Sequence, residues 1–563
     1  MLSTGAQAVY GSVAVFPAAG TPVASPKTQI SFRGVSPSQL GNISVRGSKT
    51  GSHGGKLRAH SDGLGASFVP DKPFKGGERV TVKANVPLIG AKHGAVTFTI
   101  ARPPGHYTIG FPGDSTRDAP GIQHFHSRSD IQPPSMLVKK RQSDAVGQGD
   151  LFVAAKAGPG QDGPMITDDR GHLIWFKRIG GRDSVFDFRR QTYRGHAVLT
   201  WWQGLAKSGQ GLGAGHIVDT SYRSIATVQA GNGYKADLHE FEISRNDTAL
   251  LLAYQPVTYD GETEMDTLMQ EIDIPTGLVL FEWHALGQIR RSESYVTYSG
   301  GRPNDVAHLN SIQLTRDGNF LVSGRNTDAV YKIDHATGKI IWRLGGKRSN
   351  FNLTKASHFV GQHHARLQPD GSITLFDNGQ PPQPKRPARA LWLNVDSRHR
   401  KVSVRHAYHY PRTLYSGSQG SMQVLGNAKD VFVGWGGNHP QLTEFDLKGN
   451  IIFSARFKPG DDTYRAFRYP WDAQPDRPPD IAASRSGGST NVWASWNGAT
   501  AVAQWQVLTG SNPNVLVPDG SPVSRSGFET HLTVSGSPQY VAVRALGPHG
   551  EDLGTSPAIQ PSG

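Results

Sequence analysis

Apolar and polar positions alternate in short runs along most of this chain, the two-residue period of β-strands. Between residues 28 and 102 the runs include Gln29-Ile30-Ser31-Phe32 and Arg79-Val80-Thr81-Val82, separated by Gly and Pro clusters. They predict a small β-sandwich. Residues 103–149 form a Pro-, Gly- and charge-rich crossing with few strand signals. From about residue 150 to 475 a strand–turn–strand unit repeats. It is clearest over 312–322, with Asp317-Gly318 at the turn, and over 365–375, with Asp370-Gly371. Further copies lie at 241–251, 422–432 and 192–200. Second hairpins follow at 329–342, 269–283 and 441–453, and residues 168–175 resemble the second hairpin of a first, partial unit. Short antiparallel strands repeated in this way predict a β-propeller, and the count gives six blades. Alternation returns near Ser489, as in Asn491-Val492-Trp493-Ala494 and Tyr540-Val541-Ala542-Val543, predicting a fibronectin III-like sandwich over 486–563. The expected fold is all-β: a six-bladed propeller between two β-sandwich domains, preceded by a flexible segment, residues 1–27.

Composition sharpens this picture. The chain has 563 residues, of which 67 are glycine. That is about 12% against a usual ~7%, as expected where tight turns join many strands. Cysteine is absent, so disulfides, zinc–thiolate sites and cysteine nucleophiles are excluded. No run reaches the ~18 apolar residues of a membrane-spanning helix. Lys and Arg number 59 against 45 Asp and Glu, a net charge of +14, which favours anionic ligands. The basic residues are dispersed, with no zinc-finger spacing, so no nucleic-acid partner is expected. Residues 1–26 are small and uncharged and lack the basic start and long apolar stretch of a secretory signal. An extracellular or cell-surface location is nonetheless expected, and nothing in the sequence bears on oligomeric state.

In a propeller the innermost strands line the central channel. Aligning the repeats on their turns puts Asn310 level with His239, His363 and Ser421, and His308 lies one same-face step before Asn310. Three histidines and an asparagine thus converge from three consecutive blades. The returning strands put Arg325 level with Tyr254, Asn378 and Gly436. Imidazoles serve as nucleophile, acid, base or metal ligand, and a guanidinium forks onto the oxygens of sulfate, phosphate or carboxylate. Without a convergent carboxylate the set favours an oxyanion substrate, and a His₃ zinc site stays open. Trp202, with Trp201, is a candidate aromatic wall for a planar substrate, and packing between blades is the competing role. The glycines of 209–215 read as a long loop between strands. His284, His335, His358, His406 and His409 read as structural, and His364 as the alternative to His363 if the register slips by one.

At these residues the sequence resembles the arylsulfotransferase family, in its actinobacterial and fungal-like branch. The matching segments include Thr200-Trp201-Trp202-Gln203-Gly204, Asp237-Leu238-His239-Glu240-Phe241, His308-Leu309-Asn310-Ser311-Ile312 and Ser323-Gly324-Arg325. They continue with Gln362-His363-His364-Ala365-Arg366, Phe376-Asp377-Asn378-Gly379, Phe432-Val433-Gly434-Trp435-Gly436 and Tyr464-Arg465-Ala466-Phe467. The resemblance implies a six-bladed propeller that moves sulfate from a phenolic sulfate ester to a phenol, without a nucleotide sulfate donor or any cofactor. It implies His363 as the transiently sulfated nucleophile, with His308, His239 and Arg325 around the sulfuryl group. Asn310, Trp202, Tyr254 and Asn378 are the expected substrate-binding residues, and no metal is expected. Two alternatives stand beside it: a noncatalytic surface- or polymer-binding propeller, and a hydrolase or lyase with a metal on the three histidines.

Overall fold

The hairpin repeats fold, among the described residues, as six antiparallel sheets that follow one another along the chain. In this computed structural model those residues are 12–104, 118–142, 146–207, 209–296, 303–379, 386–426, 429–436, 441–458 and 460–563. Residues 1–11, parts of the crossing (105–117 and 143–145), and the turn at 427–428 of one repeat lie outside them. Sheet II comprises Ser184–Tyr193, His196–Lys207, Gln210–Val218 and Ser224–Val228. Sheet III comprises Phe241–Ile243, Ala249–Tyr259, Glu262–Ile272 and Val279–His284. Sheet IV runs from Leu309–Leu314 through Phe320–Gly324 and Ala329–Ile333 to Ile340–Gly345. Sheet V runs from His363–Leu367 through Ile373–Asp377 and Arg389–Asp396 to Lys401–His409.

Sheets I and VI are composite. Sheet I takes Asp150–Ala155, Gly163–Thr167 and Leu173–Phe176 from its own stretch, and its innermost strand, Ala466–Tyr469, from the far end of the repeats. Sheet VI (Ser421–Leu425, Asp430–Gly434, Gln441–Asp446, Ile451–Lys458) gains a fifth, outer strand, Ser135–Arg141. That strand lies in the crossing, where the sequence pattern had indicated little strand. Sheet VI packs on the inner strand of sheet I through Ser421 Oγ, which donates to Ala466 O at 3.0 Å and accepts the Ala466 N–H at 3.1 Å.

The two-residue period explains the order. In Ala249–Tyr259, Leu250 and Leu252 join the core shared with sheet IV, while Leu251 and Ala253 join the core shared with sheet II. In His196–Lys207, Leu199 and Trp201 face sheet I, and Val198 and Trp202 face sheet III. A strand with both faces covered is apolar on both, so each sheet is glued to its two neighbours by alternate residues of one strand.

Two smaller pairs of sheets flank this array. At the N-terminal side, Ala14–Phe16, Ile30–Arg33, Gly65–Pro70 and Gly55–Ala59 form one sheet, and Gly51–Ser52, Ser44–Gly47, Arg79–Lys83 and Val96–Thr99 another. Both close over Val13, Phe32, Phe68, Val80 and Phe98. The stretch read as a flexible leader is therefore corrected from residue 12 onward. Its apolar run Val13-Ala14-Val15-Phe16 is buried and pairs with Ile30–Arg33. At the C-terminal side, Asp480–Ser486, Ser489–Ser495 and Glu529–Ser535 face Val515–Ser524, Gln504–Asn512, Tyr540–Leu546 and Asp552–Thr555 across Val492, Trp505, Leu532 and Val543. Among the described residues the only helical pieces are three 3₁₀ turns, and no helix is long and apolar enough to cross a membrane.

Candidate functional site

Bulges set the site. The inner strands break their ladders just where they enter the array: between Phe186 and Arg189, between Leu309 and Ser311, and between His363 and Arg366. Asp187 (φ 54°) and His364 (φ 53°) are left-handed at these breaks, and His308 (φ 49°) just before its strand. An extra residue in one strand re-aims the side chains beside it, so strict alternation fails here. Asp187, Glu240, Asn310, His364 and Arg465 are buried nearby, and His239, His308 and His363 line a cavity of about 350 Å³. Every residue lining that cavity lies between Lys156 and Tyr464. The described parts of the two flanking sheet pairs contribute none.

The three histidines converge as the sequence predicts. His239 and His308 meet edge to face with ring centres 4.9 Å apart, and Tyr254 contacts both rings at 5.5 Å. His239 Nδ1 pairs with Asp237 Oδ1 at 2.5 Å, and His308 Nδ1 with Asp305 Oδ2 at 2.5 Å. These carboxylates fix the rings and their tautomers. His363 Nδ1 pairs with Asn378 Oδ1 at 2.7 Å and lies 3.1 Å from Gly361 O. Its Nε2 accepts the Gln419 backbone N–H at 3.2 Å. Burial, and then the Arg325 charge, hold His363 well below the ordinary histidine pKa. Burial, and then the His308 and Arg465 charges, do the same to His239. Both rings are therefore neutral near pH 7, which leaves His363 a lone pair. His308 is the more open of the pair, with 14% of its side chain exposed against 4% for His239.

The remaining expected residues divide. Asn378 positions His363, and its Nδ2 donates to Ser416 O, Ser416 Oγ and Gln419 O at 3.0–3.3 Å. Tyr254 backs the histidine pair and donates to Leu309 O at 2.6 Å. Arg325 does not line the cavity. It sits in the turn after Phe320–Gly324 and donates to Gly417 O at 3.1 Å, gripping the segment that carries Gln419. Asn310 is fully buried away from the cavity and donates to Gln362 O at 2.7 Å, tying sheet IV to sheet V. Trp202 is enclosed as well, donating to Ala236 O at 2.9 Å. Glycines account for its burial: 209–215 is not a loop but feeds the strand Gln210–Val218, and a Cβ at Gly211 or Gly213 would come within 2.6 Å of the Trp202 ring. Trp202 packs in the core between sheets II and III.

His364 does not line the cavity. It is buried against Phe467, and its charged neighbours are Arg366, Arg465, Glu240 and Arg189. These belong to an ion cluster under the histidines. Glu240 accepts from Arg189 at 2.6 Å, Arg465 at 2.9 Å and Arg366 at 2.8 Å. Arg465 also pairs with Asp187 at 2.8 Å and donates to His239 O at 3.0 Å and Asn310 O at 2.9 Å. Glu240, Asp187 and the Arg465 side chain are fully buried, and none of them lines the cavity.

Sequence reasoning missed Asp237, Asp305, Gln419 and Tyr464. Asp237 and Asp305 precede their histidines by two and three residues, a spacing that could have been read as a side-chain tether. Gln419 acts through its backbone, which no residue type signals. Among the described residues no group of three His, Asp or Glu is arranged to hold a metal ion.

A family model described as arylsulfotransferase (ASST) matches residues 189–458. The match includes His239, His308, Arg325 and His363, and supports, at family level, a sulfotransferase acting on small molecules. It ends before Tyr464 and Arg465. No curated protein matches the chain. Among solved structures, a protein of unknown function from Bacteroides caccae is 13% identical, covers 57% of this chain and 98% of its own, and has a TM-score of 0.36. A streptogramin B lyase is 10% identical, with 64% and 94% covered and a TM-score of 0.31. A catalytically inactive virginiamycin B lyase from Staphylococcus aureus, with quinupristin, is 9% identical, with 64% and 96% covered and a TM-score of 0.30.

Proposed function

We propose that this protein is an arylsulfotransferase, moving a sulfuryl group from a phenolic sulfate ester to a phenol through a sulfated His363. We propose with it that the six sheets are the blades of a closed propeller, and the two flanking sheet pairs β-sandwich modules. The strand Ala466–Tyr469, returning to complete sheet I, supports closure. The observation that carries the reaction is the trio of imidazoles on one cavity, each fixed through Nδ1 by an oxygen acceptor.

In the first half-reaction the lone pair of His363 Nε2 attacks sulfur. The N–S bond forms, the S–O(aryl) bond breaks, and its electron pair leaves on the phenolate oxygen. A protonated His308, steadied by Asp305, gives that oxygen its proton. The neutral His308 then takes the proton of the incoming phenol, whose oxygen attacks sulfur and returns the N–S pair to His363. The Gln419 N–H is the nearest donor to the reacting nitrogen. As the sulfuryl group arrives, this donor passes from Nε2 to a sulfuryl oxygen, with the Arg325 charge close behind. Donors fixed where negative charge grows act chiefly on the transition state.

The test is release of a chromogenic phenol from its sulfate ester, with and without a phenol acceptor. Wild type and His363→Ala are compared, each with and without EDTA. Acceptor-dependent release, lost in His363→Ala and indifferent to EDTA, is expected. No release by folded wild type across a panel of aryl sulfates refutes the proposal. Release abolished by EDTA refutes the metal-free route.

A further inference from the structure

Tyr464 has no part in the scheme above and lies beyond the family match, yet it borders the cavity. Its ring lies 5.9 Å from His239 and 6.4 Å from His363, edge-on to both at 79° and 77°. The residue is 1% exposed, and its hydroxyl has no hydrogen-bond partner among the described residues. The ring is held from three sides. Phe186 packs at 5.6 Å, the Arg465 guanidinium lies 5.0 Å over the ring, and Tyr464 O accepts the Gly420 N–H at 3.0 Å.

A buried hydroxyl without a partner costs about 1–3 kcal/mol, and such groups are rare enough to need a reason. Packing does not supply one, because a phenylalanine ring makes the same contacts without the cost. We infer that Tyr464 is a substrate-contacting residue whose hydroxyl donates a hydrogen bond to the oxyanion of an aryl sulfate in the cavity. That anion's identity rests on the transferase reading; the placement of the donor does not. Burial raises the phenol well above its usual pKa, so the hydroxyl keeps its proton at working pH. A phenol O–H beside His239 and His363 would supply an anion with the positive end that neither neutral ring carries.

The experiment is Tyr464→Phe, read by urea or thermal unfolding, by binding of 4-nitrobenzenesulfonate, and by turnover of 4-nitrophenyl sulfate. The sulfonate keeps the anionic oxygens, but its C–S bond cannot be transferred. The expected variant is at least as stable as wild type, binds the sulfonate about tenfold or more weakly, the loss expected for a bond to a charged acceptor, and turns over correspondingly slowly. Equal binding and turnover in the two proteins overturns the inference. So does a loss of stability with binding unchanged, which marks a structural hydroxyl. Wild type that ignores the sulfonate overturns it as well. Wild type that binds the sulfonate with the Tyr464 dependence, but turns over no aryl sulfate, refutes the transferase reading and leaves the Tyr464 assignment supported.

Discussion

Each cavity histidine is specified by its partner. The Nδ1 of His239 and of His308 is tied to a carboxylate, whereas that of His363 is tied to the Asn378 amide. Burial and the Arg325 charge keep the His363 ring neutral, as the proposed nucleophile requires, and His308 is the proposed acid. His308→Ala is expected to slow aryl sulfate turnover by about 10²–10⁴-fold, the usual worth of a positioned acid–base group. The loss should shrink with donors whose phenols are strong acids, because their phenolates need no proton. Because the His363 pKa is depressed, its neutral form persists from alkaline pH down through the ordinary histidine value of about 6.5. Loss of the nucleophile to protonation should therefore lie well below pH 6.5, and a pH profile of kcat/KM on wild type checks it. The histidines were legible because their repeats share a turn that fixes the alignment. Trp202 was not, because its environment is set by glycines on a neighbouring strand that the sequence shows only as a run of small residues. Asn310 was misplaced because the alternation rule fails at a bulge.

The inner strands bring buried charge to a common level. Glu240 is shared by three guanidinium groups, and their charges hold its carboxyl well below the usual range in spite of burial. Glu240→Gln leaves Arg189, Arg366 and Arg465 undercompensated in the interior, and a loss of about 3–5 kcal/mol is expected, measured by urea unfolding. A carboxyl depressed in the folded state stabilises above its unfolded pKa of about 4.3 and loses that contribution as pH falls through its folded value. The buried neutral His239, His363 and His364 act in the same direction from about pH 6.5 downward, because the unfolded chain takes up protons that the folded one refuses. Stability is therefore expected to decline on acidification, beginning before the carboxylates titrate. The strands themselves were readable from alternation and Asp-Gly turns. The cluster was not, since Arg189, Arg366 and Arg465 stand far apart in sequence and meet only in the folded chain.

Across the whole molecule the flanking N-terminal sheets are seated on sheet III. Ser31 Oγ donates to Leu280 O at 3.1 Å, and the Gln29 N–H donates to Asn232 Oδ1 at 3.0 Å. Asn232 in turn donates to Glu282 at 2.7 Å, beside a fully buried His284 held between Asp266 at 2.6 Å and Glu282 at 3.0 Å. Burial lowers the His284 pKa, but the Asp266 charge and the bonds to both carboxylates outweigh it and push the value up to about 10. A raised pKa stabilises fully below the unfolded value of about 6.5 and is lost as pH rises through about 10. Unfolding midpoints should thus fall between pH 7 and 10.5, and His284→Gln, less stable at pH 7, should flatten that decline. With the acid-side losses above, this places the stability maximum near neutrality.

The strand that completes sheet I comes from the end of the repeats, and just ahead of it stand Tyr464, on the cavity wall, and Arg465, in the buried ion cluster. A ribosome makes residues 150–458 first. Until the last turn of the array emerges, the nascent chain holds three histidines over an unfilled gap, with Asp187 and Glu240 short of a guanidinium. No translation product that stops short of residue 464, and no proteolytic fragment cut before it, carries the complete cavity lining.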